Sequence, residues 1–309
     1  MPNILLTGGS GFLGTALLQN DRFKQALVVG RTRPKQCRHF SLVNLDACCV
    51  LTDTLRDIDI VVHVAARAHV MNEMSDNPLK EYRDINTLAT LNLANQAANN
   101  GIKRFIFISS IKVLGEQTKL GFPFTNNDPL DPQDPYAVSK AEAEIGLQKM
   151  AKKSNMEVVI IRPPLVYGKG VKGNFAKLLK LTARQIPLPL GSIRNRRSLV
   201  GLENLVDLIC TCLEHKKAKN EIFLVSDDHD MSAPDLLALI ARTGRYKSRL
   251  FKFSTGLLRT IFKCIGKSTI YERLCGSMQI DITHTKNQLG WSPPFTPEDC
   301  VVNCWSDQV

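Results

Sequence analysis

Apolar residues in the first half of the chain form short unbroken runs of strand length, set between longer stretches where they recur at helical spacing. The runs are Ile4-Leu5-Leu6-Thr7, Ala26-Leu27-Val28-Val29 and residues 40–43, 59–66, 105–108 and 157–162. A run without polar alternation is expected of a strand covered on both faces, and strands alternating with helices imply a doubly wound parallel sheet. Residues 84–100 repeat Ile85, Leu88 and Leu91 as one helical face, with Gly101 as the stop. A second helical pattern starts at Tyr136. Beyond residue 168 the pattern changes: residues 199–215 return as a helix, 221–225 as a late strand, and the remainder is mostly helical. The expected fold is α/β, Rossmann-like. Residues 1–168, rejoined by 198–225, form a nucleotide-binding part, and 169–197 with 226–309 form a smaller, mostly helical substrate part.

Candidate chemistry sits at the ends of the apolar runs. After the first run comes Gly8-Gly9-Ser10-Gly11-Phe12-Leu13-Gly14. Glycines at 8, 11 and 14 permit a tight turn, close approach of backbone N–H groups to a pyrophosphate, and close packing of helix on strand. The loop therefore reads as a dinucleotide cradle. At the end of the second run stand Arg31 and Arg33, where NAD-preferring enzymes carry an acid for the ribose hydroxyls. Arginines there suit a 2′-phosphate and favour NADP(H) over NAD(H), the alternative being that both are merely solvated. Asn44 and Leu45 fall where the adenine would lie. The small Ala65-Ala66 end of the fourth run lets backbone approach a cofactor, and His63 inside that run reads as a satisfied core histidine. Arg67 and His69, just beyond, are candidate substrate contacts. Ser110 follows the fifth run; Tyr136 and Lys140, four apart, share one helical face, so the ammonium can lower the phenol pKa. Tyr136 then serves as acid or base, with Ser110 bonding the oxygen that gains or loses the proton.

Composition narrows the partners. The 309 residues, 44% hydrophobic, are enough for a substantial core. A formal net charge of +11 favours an anionic partner. Only 6% aromatic residues and no basic block argue against nucleic acid. No apolar run reaches membrane-spanning length and no basic-then-apolar leader precedes Ile4, so a cytoplasmic protein without stable membrane insertion is expected. Nine cysteines without metal-site spacing read as reduced thiols. Basic residues gather between Lys169 and Arg197; such a run is usually a solvated face, but turns interrupt this one, and groups of this kind would hold a pyrophosphate-bearing substrate. Residues 250–274 mix Phe, Leu and Ile with basic residues. They read as a helix capping the substrate pocket in preference to a membrane-surface helix, because Gly256 and Gly266 interrupt the pattern.

The glycine loop, the 59–66 strand, Ser109-Ser110, Tyr136 with Lys140, Arg162-Pro163 and Tyr167-Gly168 together resemble an extended short-chain dehydrogenase/reductase of the sugar-nucleotide epimerase/dehydratase type, over nearly the whole chain. The resemblance implies that Asn86 and Pro163 join the cofactor site and that Asn174, Arg197 and Arg273 contact a nucleotide diphosphate. It implies a UDP-linked sugar as substrate, and a homodimer formed through the helices starting near Asp84 and Ala137. Lys140 would also hold the nicotinamide ribose. The 4,6-dehydratases of this family carry an acidic pair immediately after the catalytic Ser or Thr; here Ile111 and Lys112 stand there, which leaves water elimination without its acid/base pair. The expected reaction is NAD(P)H-dependent reduction of the 4-keto group of a UDP-4-keto-6-deoxy-N-acetylhexosamine to UDP-N-acetylquinovosamine, for bacterial surface polysaccharide. The alternative is 4-epimerisation of UDP-glucose or UDP-N-acetylglucosamine with tightly bound NAD. A nucleotide-sensing relative without catalysis is disfavoured because Tyr136 and Lys140 are both present.

Overall fold

The computed structural model describes residues 2–68 and 76–306. Its main sheet has seven parallel strands: β1 (Ile4–Thr7), β2 (Leu27–Gly30), β3 (His39–Leu42), β4 (Ile60–His63), β5 (Arg104–Ile108), β6 (Glu157–Arg162) and, at the far edge, Ile222–Leu224. Two short strands, β7 (Val166–Tyr167) and β8 (Val200–Gly201), form a separate parallel pair, so the edge strand is β9 in chain order. The order across the sheet is β3-β2-β1-β4-β5-β6-β9, with the strand order reversing between β1 and β4. This is a Rossmann-like doubly wound fold, in which ligands bind outside the carboxyl ends of the strands near that reversal.

Each central strand sends successive residues to opposite layers, as its period of two requires. On β1, Ile4 and Leu6 enter one core with Leu5 in the other; on β5, Ile106 and Ile108 divide from Phe105 and Phe107 in the same way. The first layer includes α1 (Phe12–Gln19), the second α2 (Pro78–Tyr82), α3 (Ala89–Asn99) and α4 (Pro135–Ala151). Then follow α5 (Gly173–Ala183), α6 (Leu202–Glu214), which packs on α1, and α7 (Ala233–Thr243). The chain ends with α8 (Thr255–Cys264), α9 (Ser268–Cys275), α10 (Thr283–Leu289) and α11 (Pro297–Asn303). Away from the sheet, Tyr167, Phe175, Ile240 and Val301 share one apolar cluster, and Leu190, Ile193, Leu237 and Leu258 another.

One expectation is met only in part. Ile85 and Leu88 share an exposed face, whereas Leu91 is half-buried against the core, and the buried residues here are Asn86, Thr87, Thr90, Leu93, Ala94 and Ala97. A π-type stretch, Arg83–Leu88, joins α2 to α3. Its wider turn shifts the phase of every later residue, which takes Leu91 off the face that Ile85 and Leu88 share.

Two buried polar clusters brace the layers. His63 accepts or donates at both ring nitrogens, 2.7 Å from Thr7 Oγ1 and 2.9 Å from Thr90 Oγ1. Burial pulls its pKa down to about 3, so it stays neutral and structural. Behind β6, Arg162 and Glu144 form a bidentate pair, with the shortest contact 2.6 Å and both side chains buried.

Candidate active site

The glycine loop closes as its spacing requires. Gly8 has φ +72°, and a Cβ there would lie 2.6 Å from Ala65 N; a Cβ on Gly14 would lie 2.1 Å from Gly8 O. No side chain fits at either place, so bare backbone from the loop and from Ala65 meets at the carboxyl ends of β1 and β4. Gly11, Phe12, Leu13 and Gly14 continue from the loop into α1, and Thr7 Oγ1 accepts from Ala65 N at 3.2 Å. These residues fit a dinucleotide phosphate: the backbone approach is open and the first turn of α1 carries no acidic residue.

Next to this loop, Arg31 is exposed at the end of β2 and makes no side-chain hydrogen bond or ion pair among the described residues. Arg33 instead turns back to donate to the carbonyl of Arg38 at 3.1 Å, so of the two arginines only Arg31 has a side chain without partners among the described residues. Asn44 is exposed and Leu45 half-buried in the segment after β3.

Asn86 lies behind the cofactor-side loop. It is fully buried, accepts from Arg67 N at 2.8 Å, and donates to Arg67 O and Ser139 Oγ, each at 3.0 Å. A buried amide must satisfy donors and acceptor together, and here the 67 backbone and α4 supply all partners. Its side chain thus holds the loop rather than facing away from it. Arg67 itself pairs with Glu81 at 2.7 Å and lies over the Tyr82 ring. His69 falls outside the described residues.

The catalytic candidates converge from β5 and α4. Ser109 N donates to Ile161 O at 2.8 Å and Ile111 N to Pro163 O at 2.9 Å, so the segment bearing Ser110 is bonded to the end of β6. Helix α4 begins with Asp134, whose carboxylate accepts from Ala137 N at 2.7 Å, followed by Pro135 at the first position. That cap places Tyr136 in the first turn, with the Tyr82 ring edge-on at 6.1 Å. The Ser110 hydroxyl lies on the phenol side of Tyr136, close enough to act on its pKa. Burial pushes the phenol pKa up; Asp134 and Tyr82 push in the same direction, and Ser110 pulls it down.

Lys140 reaches the end of β5. Its ammonium donates to Ile108 O at 2.8 Å and stands 4.4 Å from the Phe107 ring centroid. Burial lowers the ammonium pKa to about 7, against an opposing pull from Glu144. A lysine four residues on shares the face of the tyrosine, but the end of β5 offers it a carbonyl that spacing alone does not show. The unfolded chain keeps a proton on this group up to its ordinary 10.5, whereas the folded chain sheds it near 7, so between those values folding stability rises with pH. Above about pH 9 buried thiols such as Cys212, raised to about 12, act with the opposite sign. Chemical denaturation of wild type against Lys140→Met from pH 6 to 9 is expected to show the rising slope in wild type alone.

Sequence reading missed Lys112 as a bridge. Its ammonium sits 2.5 Å from Asp134 Oδ2 and 3.3 Å from Glu116 Oε1, tying the Ser110 segment to the cap of α4 and offsetting the carboxylate beside the phenol. The Asp134-Pro135 cap was readable from its residue types; the Lys112 contact spans 22 positions and was not.

The diphosphate candidates lie in the carboxyl-terminal part. Asn174 is exposed in the first turn of α5. Arg197 is half-buried, donates to Gly276 O at 2.9 Å, and bridges Met231 and Met278 through its backbone. Arg273 is exposed in the last turn of α9, three residues before Gly276, so the fold brings Arg197 and Arg273 to one region. Among the described residues, no group of three His, Cys, Asp or Glu side chains is placed to hold a metal.

A family model described as the NAD dependent epimerase/dehydratase family matches residues 4–226. A protein of Vibrio cholerae named UDP-glucose 4-epimerase is 46% identical over 307 residues, covering 96% of this chain and 92% of that protein. The structure of UDP-glucuronic acid 4-epimerase from Bacillus cereus, in complex with NAD, superposes with a TM-score of 0.78 at 19% identity, over 98% of this chain and 97% of that one. The structure of RMD from Pseudomonas aeruginosa, complexed with NADPH, superposes with a TM-score of 0.73 at 21% identity over 99% of both chains.

Proposed function

The chain belongs to the NAD dependent epimerase/dehydratase family, and on that premise we propose that it reduces the 4-keto group of a UDP-4-keto-6-deoxy-N-acetylhexosamine with NADPH, for bacterial surface polysaccharide. Members of this family are enzymes that act on nucleotide sugars through a nicotinamide cofactor. The observation that carries the direction of reaction is the end of β2, where Arg31, exposed and without a partner among the described residues, takes the place of an acid. A reductase must exchange its cofactor at each turnover, and a 2′-phosphate held by a surface arginine suits an exchangeable NADPH. Dehydration has no support from the position after Ser110, where Lys112 is committed to Asp134 and Glu116.

The glycine loop, Arg31, Asn44, Leu45, Ala65, Ala66, Pro163 and Lys140 would hold the cofactor, with Asn86 bracing the 65–67 segment. When bound, the nicotinamide supplies hydride exchange at sugar C4. Tyr136 gives its proton to the C4 oxygen, and Ser110 donates a hydrogen bond to that oxygen as charge develops. Lys112, through Asp134, keeps an uncompensated carboxylate away from the phenol. Asn174, Arg197 and Arg273 hold the diphosphate of the UDP-sugar, in the substrate part formed by 169–197 and 226–309. A homodimer would bury Ile85 and Leu88 with Ile145 of α4, which are exposed on neighbouring helices.

A second reading, 4-epimerisation of UDP-glucose or UDP-N-acetylglucosamine, is favoured by the 46% likeness to the Vibrio protein. One experiment separates the two. The nucleotide released from the purified protein is identified, and UDP-4-keto-6-deoxy-N-acetylglucosamine is then supplied with NADPH while absorbance and the sugar NMR spectrum are followed. Consumption of NADPH with a 4-hydroxy product establishes the reductase. Tightly held NAD, with interconversion of gluco and galacto UDP-sugars and no net oxidation, establishes the epimerase instead. In the first case Arg31→Asp is expected to raise KM for NADPH about tenfold to a hundredfold, the worth of a charge-assisted contact, while NADH kinetics change little. Equal effects on both cofactors would remove Arg31 from the 2′-phosphate.

A further inference from the structure

Helices α8 and α9 form a hairpin that stands out from the body. Only Leu258 of α8 is buried; Phe262, Tyr271 and Cys275 pack partly against the Leu190, Ile193 and Leu237 cluster, and the rest of α8 is exposed. Leu257, Ile261 and Ile265 recur once per turn, and 53%, 42% and 55% of their surfaces are open to solvent. With 100° per residue they occupy the sector beside Leu258 and Phe262, so the apolar face of this helix extends beyond the part that the body covers. Gly266, at φ +68°, turns the chain into α9 and leaves Ile265 and Lys267 at the tip, with Ile270 exposed just beyond.

The chain leading through this stripe is cationic, and the nearest acid along it is Glu272 of α9. Residues 236–271 contain eight Lys or Arg and no Asp or Glu. Among the described residues, Arg242 alone of the eight has an ion-pair partner, Glu298. We propose that the α8–α9 hairpin docks on an anionic lipid surface, with Leu257, Ile261 and Ile265 entering the headgroup boundary and Arg259, Lys263 and Lys267 attracted to the anionic headgroups. An exposed apolar sector on a cationic helix is the composition of an interfacial helix. A second copy of the chain is a poor occupant, since the seven cations without an ion pair among the described residues would face seven more. Nucleic acid would engage the cations and leave the apolar stripe in water. No helix among the described residues is long and apolar enough to cross a membrane, so the association is peripheral.

The proposal does not depend on which reaction the enzyme performs. Its test is co-sedimentation of the full chain with vesicles of phosphatidylcholine alone or mixed with phosphatidylglycerol. The chain is expected to sediment with the mixed vesicles only, and less as salt is raised. Replacing Leu257, Ile261 and Ile265 together by Ser should weaken binding about tenfold to a hundredfold, and Lys263→Gln or Lys267→Gln about fivefold each, with activity on a nucleotide sugar in solution unchanged. Ile265→Glu at the hairpin tip serves as a second variant if the triple change impairs folding. Failure to bind mixed vesicles would overturn the proposal. So would undiminished binding by both apolar variants, or a smaller assembly of the triple variant on gel filtration, which would assign the stripe to a second copy.

Discussion

Tyr136→Phe is expected to lower turnover by about 10²- to 10⁴-fold, the worth of a positioned proton donor, while leaving nucleotide binding and thermal stability nearly unchanged. The ring survives the substitution and keeps its edge-on contact with Tyr82; only the phenol oxygen, on which Ser110 acts, is removed. Loss of kcat with KM preserved would place the hydroxyl in the chemical step, whereas near wild-type turnover would reject Tyr136 as the acid. The pH profile adds a second readout. Burial and Asp134 hold the phenol protonated, which suits a donor in the reductive direction, so activity in that direction should fall only on the alkaline side.

Glu144→Ala should produce the largest loss of stability, about 3–5 kcal/mol, because it strands the buried Arg162 guanidinium that Glu144 holds through three contacts of 2.6–3.2 Å. Urea denaturation of the cofactor-free protein measures it as a lower midpoint at constant slope. The double variant Glu144→Ala/Arg162→Leu should recover much of the loss, since an apolar pair leaves no unpaired charge. If the double variant is no more stable than the single, the cost lies in packing. The same carboxylate supports the Lys140 ammonium, so Glu144→Gln should also shift the acidic side of the pH–stability difference attributed to Lys140.

The parallel sheet was legible in the sequence because buried strands read as unbroken apolar runs: Ile4–Thr7, Phe105–Ile108 and the 157–162 run all fall in the sheet. The glycine loop was legible because only glycine tolerates a Cβ position 2.1 Å from a carbonyl oxygen. The parting of Leu91 from Ile85 and Leu88 was not, since one π-type turn changes the phase that periodicity assumes. Nor was the engagement of Asn86, whose partners at Arg67 and Ser139 lie 19 and 53 positions away.

What the sequence determined by itself was therefore local: which segments form strands, where the backbone must be bare, and which residue types are available for proton transfer. Tertiary structure decided what those groups experience. Lys140 is a cation by type, yet burial against Phe107 and the Ile108 carbonyl lowers its pKa to about 7; the phenol of Tyr136 is tuned by Ser110, Asp134 and Tyr82, none of them its helical neighbour at one turn. Charge and hydrogen bonding act through space, and the low-dielectric interior magnifies whichever group the fold brings within a few ångströms, whatever its distance along the chain.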